Sequence, residues 1–160
     1  MPLIFATEQD AARALREVGL KATPQRLAIL RSLAGDETHP TAQELFERLS
    51  SEFPSLSVAT VYNTLSALTR IGRCTPLELG GPLRFDPNVD PHDHAVCERC
   101  GAIRDVSAPL ESAPAPEEPP VCGVETSPEG LPGFTVRRVE RIYRGLCAAC
   151  AAQDTEAVAQ

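Results

Sequence analysis

Residues 92–100 read His92-Asp93-His94-Ala95-Val96-Cys97-Glu98-Arg99-Cys100, an imidazole pair at spacing two running into a Cys-x-x-Cys. A second Cys-x-x-Cys follows at Cys147 and Cys150. Thiolates two apart in a tight turn reach one ion, and two such turns complete a tetrahedron. One Cys-x-x-Cys alone could equally be a buried pair or a disulfide. His92 and His94 alone could be a solvated loop. The two donor sets differ in softness: sulfur suits a structural zinc, whereas imidazole with carboxylate suits exchangeable first-row metals. One locked site and one responsive site are expected.

The stretch also divides the chain into a helical half before it and a strand-like half after it. Four short helices precede it. Thr7 caps a helix carrying Ala11, Ala14, Leu15 and Val18 that ends at Gly19. Thr23 followed by Pro24 is an N-cap with proline at the first helical position, and Leu27, Ile29, Leu30 and Leu33 follow. Thr41-x-x-Glu44 is a capping box for a helix with Leu45, Phe46 and Leu49 that stops before Pro54. Ser57 caps a fourth helix, from Val58 to Ile71, whose Val58, Val61, Leu65, Leu68 and Ile71 share one face. Thr60, Asn63, Ala67 and Arg70 fall on the opposite face, which is small, polar and suited to a groove. Residues 74–79 and Leu83-Arg84-Phe85 read as a hairpin around Gly80-Gly81. Helices and then a hairpin in this order give an α+β chain that starts with a winged helix-turn-helix. A small helical bundle with a solvated polar face has the same pattern.

Beyond Cys97, residues 95–97 and 102–106 flank the first Cys-x-x-Cys as a knuckle hairpin would. A longer strand from Phe134 through Tyr143 leads to the second. Between them, residues 107–133 hold seven prolines, which exclude a regular helix and suggest a loop. Residues 151–160 read as a short terminal helix. Residues 1–87 are thus expected to form a winged-helix domain and residues 88–160 a small α/β domain.

Composition limits the partners. The 160 residues carry a net charge of −7, which at first argues against nucleic acid. The excess is uneven: residues 1–86 hold nine Arg and Lys against ten Asp and Glu, and the remainder six against twelve. The first half therefore has room for a basic face. No apolar run approaches the ~18 residues of a membrane span. The opening residues lack the basic start and long apolar region of a signal peptide. A reducing, cytoplasmic setting and metal rather than disulfides are expected for the cysteines. Cys74 and Cys122 receive no ligand role.

Taken together, these motifs resemble the ferric uptake regulator family, and within it the peroxide-sensing branch. The resemblance runs from about Leu15 to Cys150, interrupted by the proline-rich insert. Its motifs are residues 22–26 (Ala-Thr-Pro-Gln-Arg), His39-Pro40-Thr41-Ala42, residues 57–65, Arg84-Phe85-Asp86, His92-x-His94-Ala95-x-Cys97-x-x-Cys100-Gly101, and Cys147-x-x-Cys150. Asn63, where many iron-sensing relatives have Arg, and Asp105, where many have Glu, favour the peroxide branch.

The resemblance implies a homodimer: a winged helix for a palindromic operator in double-stranded DNA, and a C-terminal domain for dimerisation. It implies Cys97, Cys100, Cys147 and Cys150 as structural zinc ligands, and His39, Asp86, His92, His94 and Asp105 as a regulatory Fe(II) or Mn(II) site joining the two domains. Ser57, Thr60, Tyr62 and Asn63 would face DNA bases, with Arg16, Lys21 and Arg26 on phosphates. A ligand histidine, His39 or His92, would gain oxygen when peroxide meets bound iron. Two departures stand out. The proline-rich insert replaces a usual helix, and the final strand lacks the histidines of a further metal site found in some relatives.

The expected function is a metal-dependent repressor responsive to peroxide, with no membrane role and no small-molecule substrate. A manganese or iron homeostasis regulator is the nearest rival, and a zinc-knuckle interaction module a more distant one. An enzyme is disfavoured. His39 with Asp86 could mimic a catalytic pair, but no nucleophile motif or metal-helix glutamate accompanies it.

Overall fold

The computed structural model describes residues 7–106 and 141–158. They divide into two compact units, Met1–Pro91 and His92–Gln160. The proline-rich insert, Cys122 and residues 134–140 of the expected strand lie outside the described residues.

The first unit contains α1 (Glu8–Glu17), α2 (Pro24–Leu33), α3 (Ala42–Leu49), α4 (Val58–Arg70), β1 (Thr75–Leu77) and β2 (Arg84–Asp86). Each helix starts where a hydroxyl residue can satisfy an orphan amide. Thr7, Thr23, Thr41 and Ser57 accept from the backbone N–H three residues on. At α3 the exchange is reciprocal: Glu44 N–H donates to Thr41 Oγ1 at 3.0 Å, and Thr41 N–H donates to Glu44 Oε2 at 2.7 Å. Pro24 opens α2, where its missing N–H costs nothing. Leu15, Ile29, Leu30, Leu33, Leu45, Val61, Leu65 and Leu68 have no exposed surface and form the core.

The hairpin is antiparallel, with Thr75 opposite Asp86 and Leu77 opposite Arg84. A single bridge from Thr41 to Arg84 flanks β2 on its other side. The first unit is therefore a winged helix-turn-helix, with α4 in the place of the recognition helix.

One expectation about α4 needs correction. Ala67 is 1% exposed and belongs to the buried stripe, not to the outer face. Helix α4 packs on α1, α2 and α3, so its buried arc is wider than its large apolar residues imply. Thr64 lies in the same arc. Its hydroxyl can be buried because it donates to Thr60 O at 2.7 Å.

The second unit holds β3 (Asp93–Cys97), β4 (Ile103–Val106), β5 (Ile142–Gly145) and α5 (Ala148–Val158). Strand β3 is central, antiparallel to β4 and parallel to β5. Gly101 closes the β3–β4 turn with φ +71, a conformation a side chain would disfavour. The terminal helix starts at Ala148, earlier than the expected residue 151, so Cys150 sits in its first turn. Alanine-rich sequence runs through residues 148–152 and favours the earlier start. The whole chain is α+β. Among the described residues no helix is long and apolar enough to cross a membrane.

Thr41→Ala removes a cap whose partner Glu44 is also engaged elsewhere. It should lower stability by about 1 kcal/mol, within the range for N-cap losses. Urea unfolding of the full chain checks this, with an unchanged midpoint counting against the capping box.

Candidate metal centres

The cysteine cluster belongs wholly to the second unit. Cys97 ends β3, Cys100 lies in the turn after it, Cys147 precedes α5 and Cys150 lies in its first turn. The four Sγ atoms lie within 4.8 Å of one another. Cys100 and Cys147 Sγ are 3.8 Å apart. Zinc–sulfur bonds of about 2.3 Å in a tetrahedron give edges of about 3.8 Å, so the Cys100–Cys147 pair stands at zinc spacing and all four thiolates are close enough to share one zinc.

Backbone holds the cluster. Gly101 N–H donates to Cys97 O at 2.9 Å, Cys97 N–H to Ala102 O at 2.9 Å and Glu98 N–H to Gly145 O at 2.8 Å. Cys147 N–H points at Cys97 Sγ at 3.3 Å. Amides of Cys100 and Cys147 aimed at the Cys97 sulfur favour its thiolate and bring its pKa down to about 6. Hydrogen bonding from Cys147 and burial work the other way on Cys150, which is pushed up. The cluster thus favours one thiolate before the rest, a starting point for a cation that displaces the other protons. Arg99, unremarked in the sequence, reaches over from the turn and donates to Cys150 O at 2.9 Å. It ties the knuckle to the first turn of α5.

Nitrogen and oxygen donors occur in both units. In the second, His94 lies on β3 and His92 immediately precedes the strand, two residues away. Their Nε2 atoms approach to 3.0 Å, and the rings meet edge to face with centroids 4.5 Å apart. Asp105 lies opposite His94 across the β3–β4 ladder, and its Oδ1 is 3.5 Å from His92 Nε2. Three donors therefore converge within this sheet. Asp93 points to the other face, where Tyr143 O–H donates to its Oδ2 at 3.2 Å and Arg141 Nε stands at 3.6 Å. It fastens β5 to β3, a role the sequence did not reveal.

In the first unit, His39 and Asp86 face each other. Nε2 and Oδ1 are 3.8 Å apart, and the side chains are 1% and 0% exposed. Asp86 Oδ1 also accepts from Asn88 N–H at 2.7 Å. His39 has a left-handed backbone, φ +51. For a non-glycine residue that costs on the order of 1–3 kcal/mol and persists only where surrounding structure enforces it. The enforcers are Arg84, which donates to His39 O at 2.9 Å, and Phe85, whose N–H donates to Pro40 O at 3.0 Å. Both lie on β2, beside Asp86. An imidazole and a carboxyl held in a buried place form a donor set that suits first-row divalent metals.

The expected DNA face is exposed on α4 at Tyr62 and Asn63. Ser57 and Thr60 share a 2.9 Å hydroxyl contact and both serve the helix cap. Arg16 and Lys21 are exposed, and Arg26 bonds back to Lys21 O at 3.1 Å. Tyr62 also touches Phe85 edge-on, with centroids 6.3 Å apart.

A model of the ferric uptake regulator family matches residues 17–119. The chain belongs to that family. The peroxide-responsive repressor PerR of Staphylococcus aureus is 45% identical over 102 residues, covering 63% of this chain and 69% of that protein. Among solved structures, the ferric uptake regulator Fur of Helicobacter pylori superposes with a TM-score of 0.66 at 18% identity, over 94% of this chain and 97% of that one. The Campylobacter jejuni peroxide stress regulator gives 0.56 at 24% identity, over 94% and 100%. At such identities the structures establish the shared fold. The family match ends before Cys147, so the second half of the cysteine cluster rests on the geometry described above. As a ferric uptake regulator family member, the chain is a metal-responsive regulator.

Cys74 belongs to neither donor set. Burial and the nearby Asp86 push its thiol up to about 12, against a bond from Thr75 N–H. Only the thiolate attacks electrophiles, so Cys74 stays inert at neutral pH. Alkylation of the native protein followed by peptide mass spectrometry should leave Cys74 unmodified even after a chelator exposes the cluster cysteines. Labelling of Cys74 at the rate of Cys100 would contradict this burial.

Proposed function

We propose that the protein is a homodimeric, metal-dependent repressor that binds a palindromic operator and releases it when peroxide oxidises a metal-ligating histidine. The observation that carries this reading is the pairing of two chemically distinct donor sets, one of sulfur and one of nitrogen and oxygen, on a winged-helix chain. Similarity to the S. aureus peroxide-responsive repressor supports the peroxide response.

Cys97, Cys100, Cys147 and Cys150 are assigned to a structural zinc. Four thiolates bind zinc tightly and hold β3, β5 and α5 together, so binding energy there is folding energy. His39, Asp86, His92, His94 and Asp105 are assigned to one Fe(II) or Mn(II). His39 and Asp86 come from the winged-helix unit and the others from the second unit, so ligation by all five fixes the angle between the two. Ligation then selects the dimer shape whose two α4 helices match two half-sites. Tyr62 and Asn63, with Ser57 and Thr60 beside them, are assigned to the base edges, and Arg16, Lys21 and Arg26 to phosphates. Phosphate contacts set register and weaken with salt, whereas base contacts discriminate sequence.

Iron, when bound, would supply the redox chemistry that activates peroxide. His39 and His92, as its ligands, would be the rings oxidised: a ring C–H becomes C–O, one peroxide oxygen entering the ring and the other leaving as water. An oxidised ring is a poorer ligand, the domains unlink, and DNA is released.

The chain should be purified with zinc, loaded with Fe(II) or Mn(II), exposed to low peroxide, and examined by peptide mass spectrometry beside a gel shift. Oxygen on His39 or His92 in the iron form alone, with lost DNA binding, is the expected result. Unmodified histidines with retained binding would leave a plain metalloregulator. Oxidation confined to the cysteine cluster would point to a thiol switch.

The zinc assignment has its own check. Cys100→Ser leaves three thiolates and should give an unfolded or monomeric protein lacking zinc. Elemental analysis and gel filtration read this, and freshly purified wild-type dimer without zinc would refute it. Acid should act in the same direction. The Cys97 thiolate is favoured in the fold, its pKa lying near 6 rather than 9, so its contribution is full above pH 9 and is lost as pH falls through about 6. Zinc retention should weaken below that point.

A further inference from the structure

Two arginines brace the loop that presents His39. Arg48, on α3, pairs with Asp36 Oδ2 and donates from Nη2 to Thr38 Oγ1 at 3.2 Å. Thr38 N–H and hydroxyl both bond Asp36 Oδ1. On the other side, Arg84 of β2 donates from Nη1 to His39 O at 2.9 Å and to Glu44 Oε2 at 3.3 Å. That Glu44 oxygen also accepts from Thr41 N–H at 2.7 Å, and Phe85 N–H donates to Pro40 O at 3.0 Å. Each of residues 39–41 is thereby bonded to Arg84, to its carboxylate partner or to its strand.

The geometry singles out Arg84 from this brace. Arg84 and Asp86 are two apart on β2, so both project to the same side of the strand. Asp86 Oδ1 stands 3.8 Å from the His39 imidazole, while Arg84 holds the carbonyl of the same residue. His39 has φ +51, a region a non-glycine residue leaves unless held. A guanidinium bond to that carbonyl resists rotation of the peptide plane. A charge-assisted bond of this kind is stronger than a neutral one. We propose that Arg84 is a positioning residue for metal binding: it locks the left-handed backbone of His39 and so turns the imidazole toward Asp86. Arg84 touches no metal itself. The inference rests on the assignment of His39 and Asp86 as regulatory ligands.

A purely structural Arg84 would brace the hairpin whether or not His39 were present, and a double-mutant cycle separates the two roles. Full-length, zinc-loaded protein is titrated with Mn(II) by calorimetry as wild type, Arg84→Gln, His39→Ala and the double variant. Arg84→Gln should weaken Mn(II) binding roughly tenfold, the lower end for losing a group that orients a metal ligand. It should cause no further loss where His39 is already Ala. Glu44→Gln is the milder second variant. It keeps an acceptor for Thr41 N–H but removes the carboxylate paired with Arg84, and it should weaken Mn(II) by a smaller factor, again only with His39 present. If Arg84→Gln does not fold, the Glu44→Gln cycle decides. Equal losses in both backgrounds, or no loss in either, overturn the inference. Wild-type affinity in His39→Ala would overturn the ligand assignment itself, and this inference with it.

Discussion

A fully buried acid, Asp86, faces a fully buried imidazole, His39, and the winged-helix unit is arranged so that both stay there. Buried polar groups are tolerated only when bonded or balanced by charge. Strand β2 meets that need with three consecutive residues. Arg84 takes the His39 carbonyl, Phe85 enters the core and meets Tyr62 of α4, and Asp86 faces the ring. Alternation along a strand makes this division possible: the odd residue packs inward while its neighbours share one side. Core packing, the exposed face of α4 and the donor pair thus meet on a three-residue strand.

The second unit repeats the device with different chemistry. At the start of β3, His92 and His94 converge with Asp105, while Asp93 turns away to hold β5 through Tyr143 and Arg141. The same strand ends in Cys97, so the sulfur cluster and the nitrogen–oxygen set are rooted in one element. Softness keeps their metals distinct. Four sulfurs within 4.8 Å of one another make a durable anchor. A mixed set of imidazoles and carboxyls is suited to binding that can be reversed.

Much of this was legible in the sequence because it is local. Hydroxyl caps at Thr7, Thr23, Thr41 and Ser57, proline at the head of α2 and the turn after Cys97 depend on residues a few positions apart, and each lies where the pattern put it. The cysteine set was readable because two Cys-x-x-Cys pairs in one short chain have few other uses. What was missed depends on contacts across the chain. Ala67 looks like a surface residue until three helices surround α4. Arg84 reads as an ordinary strand residue until the fold brings it to a carbonyl 45 positions away. Asp93 sits between two histidines and draws attention to their side of the strand, although it works on the other. The start of α5 was misjudged because a metal-ligand motif overlaps a helix start, and alanine propensity prevails.

We propose that His39, Asp86, His92, His94 and Asp105 serve one ion. Mn(II) stoichiometry and affinity in zinc-loaded wild type, His39→Ala, His94→Ala and the double variant test it most directly. One ion per chain is expected, with each single substitution removing most of the affinity and the double substitution removing little more, as for residues acting on a shared ligand. Two ions per chain, or losses that simply add, would contradict it and leave His39 with Asp86, and His92 with His94, as separate and unconnected sites.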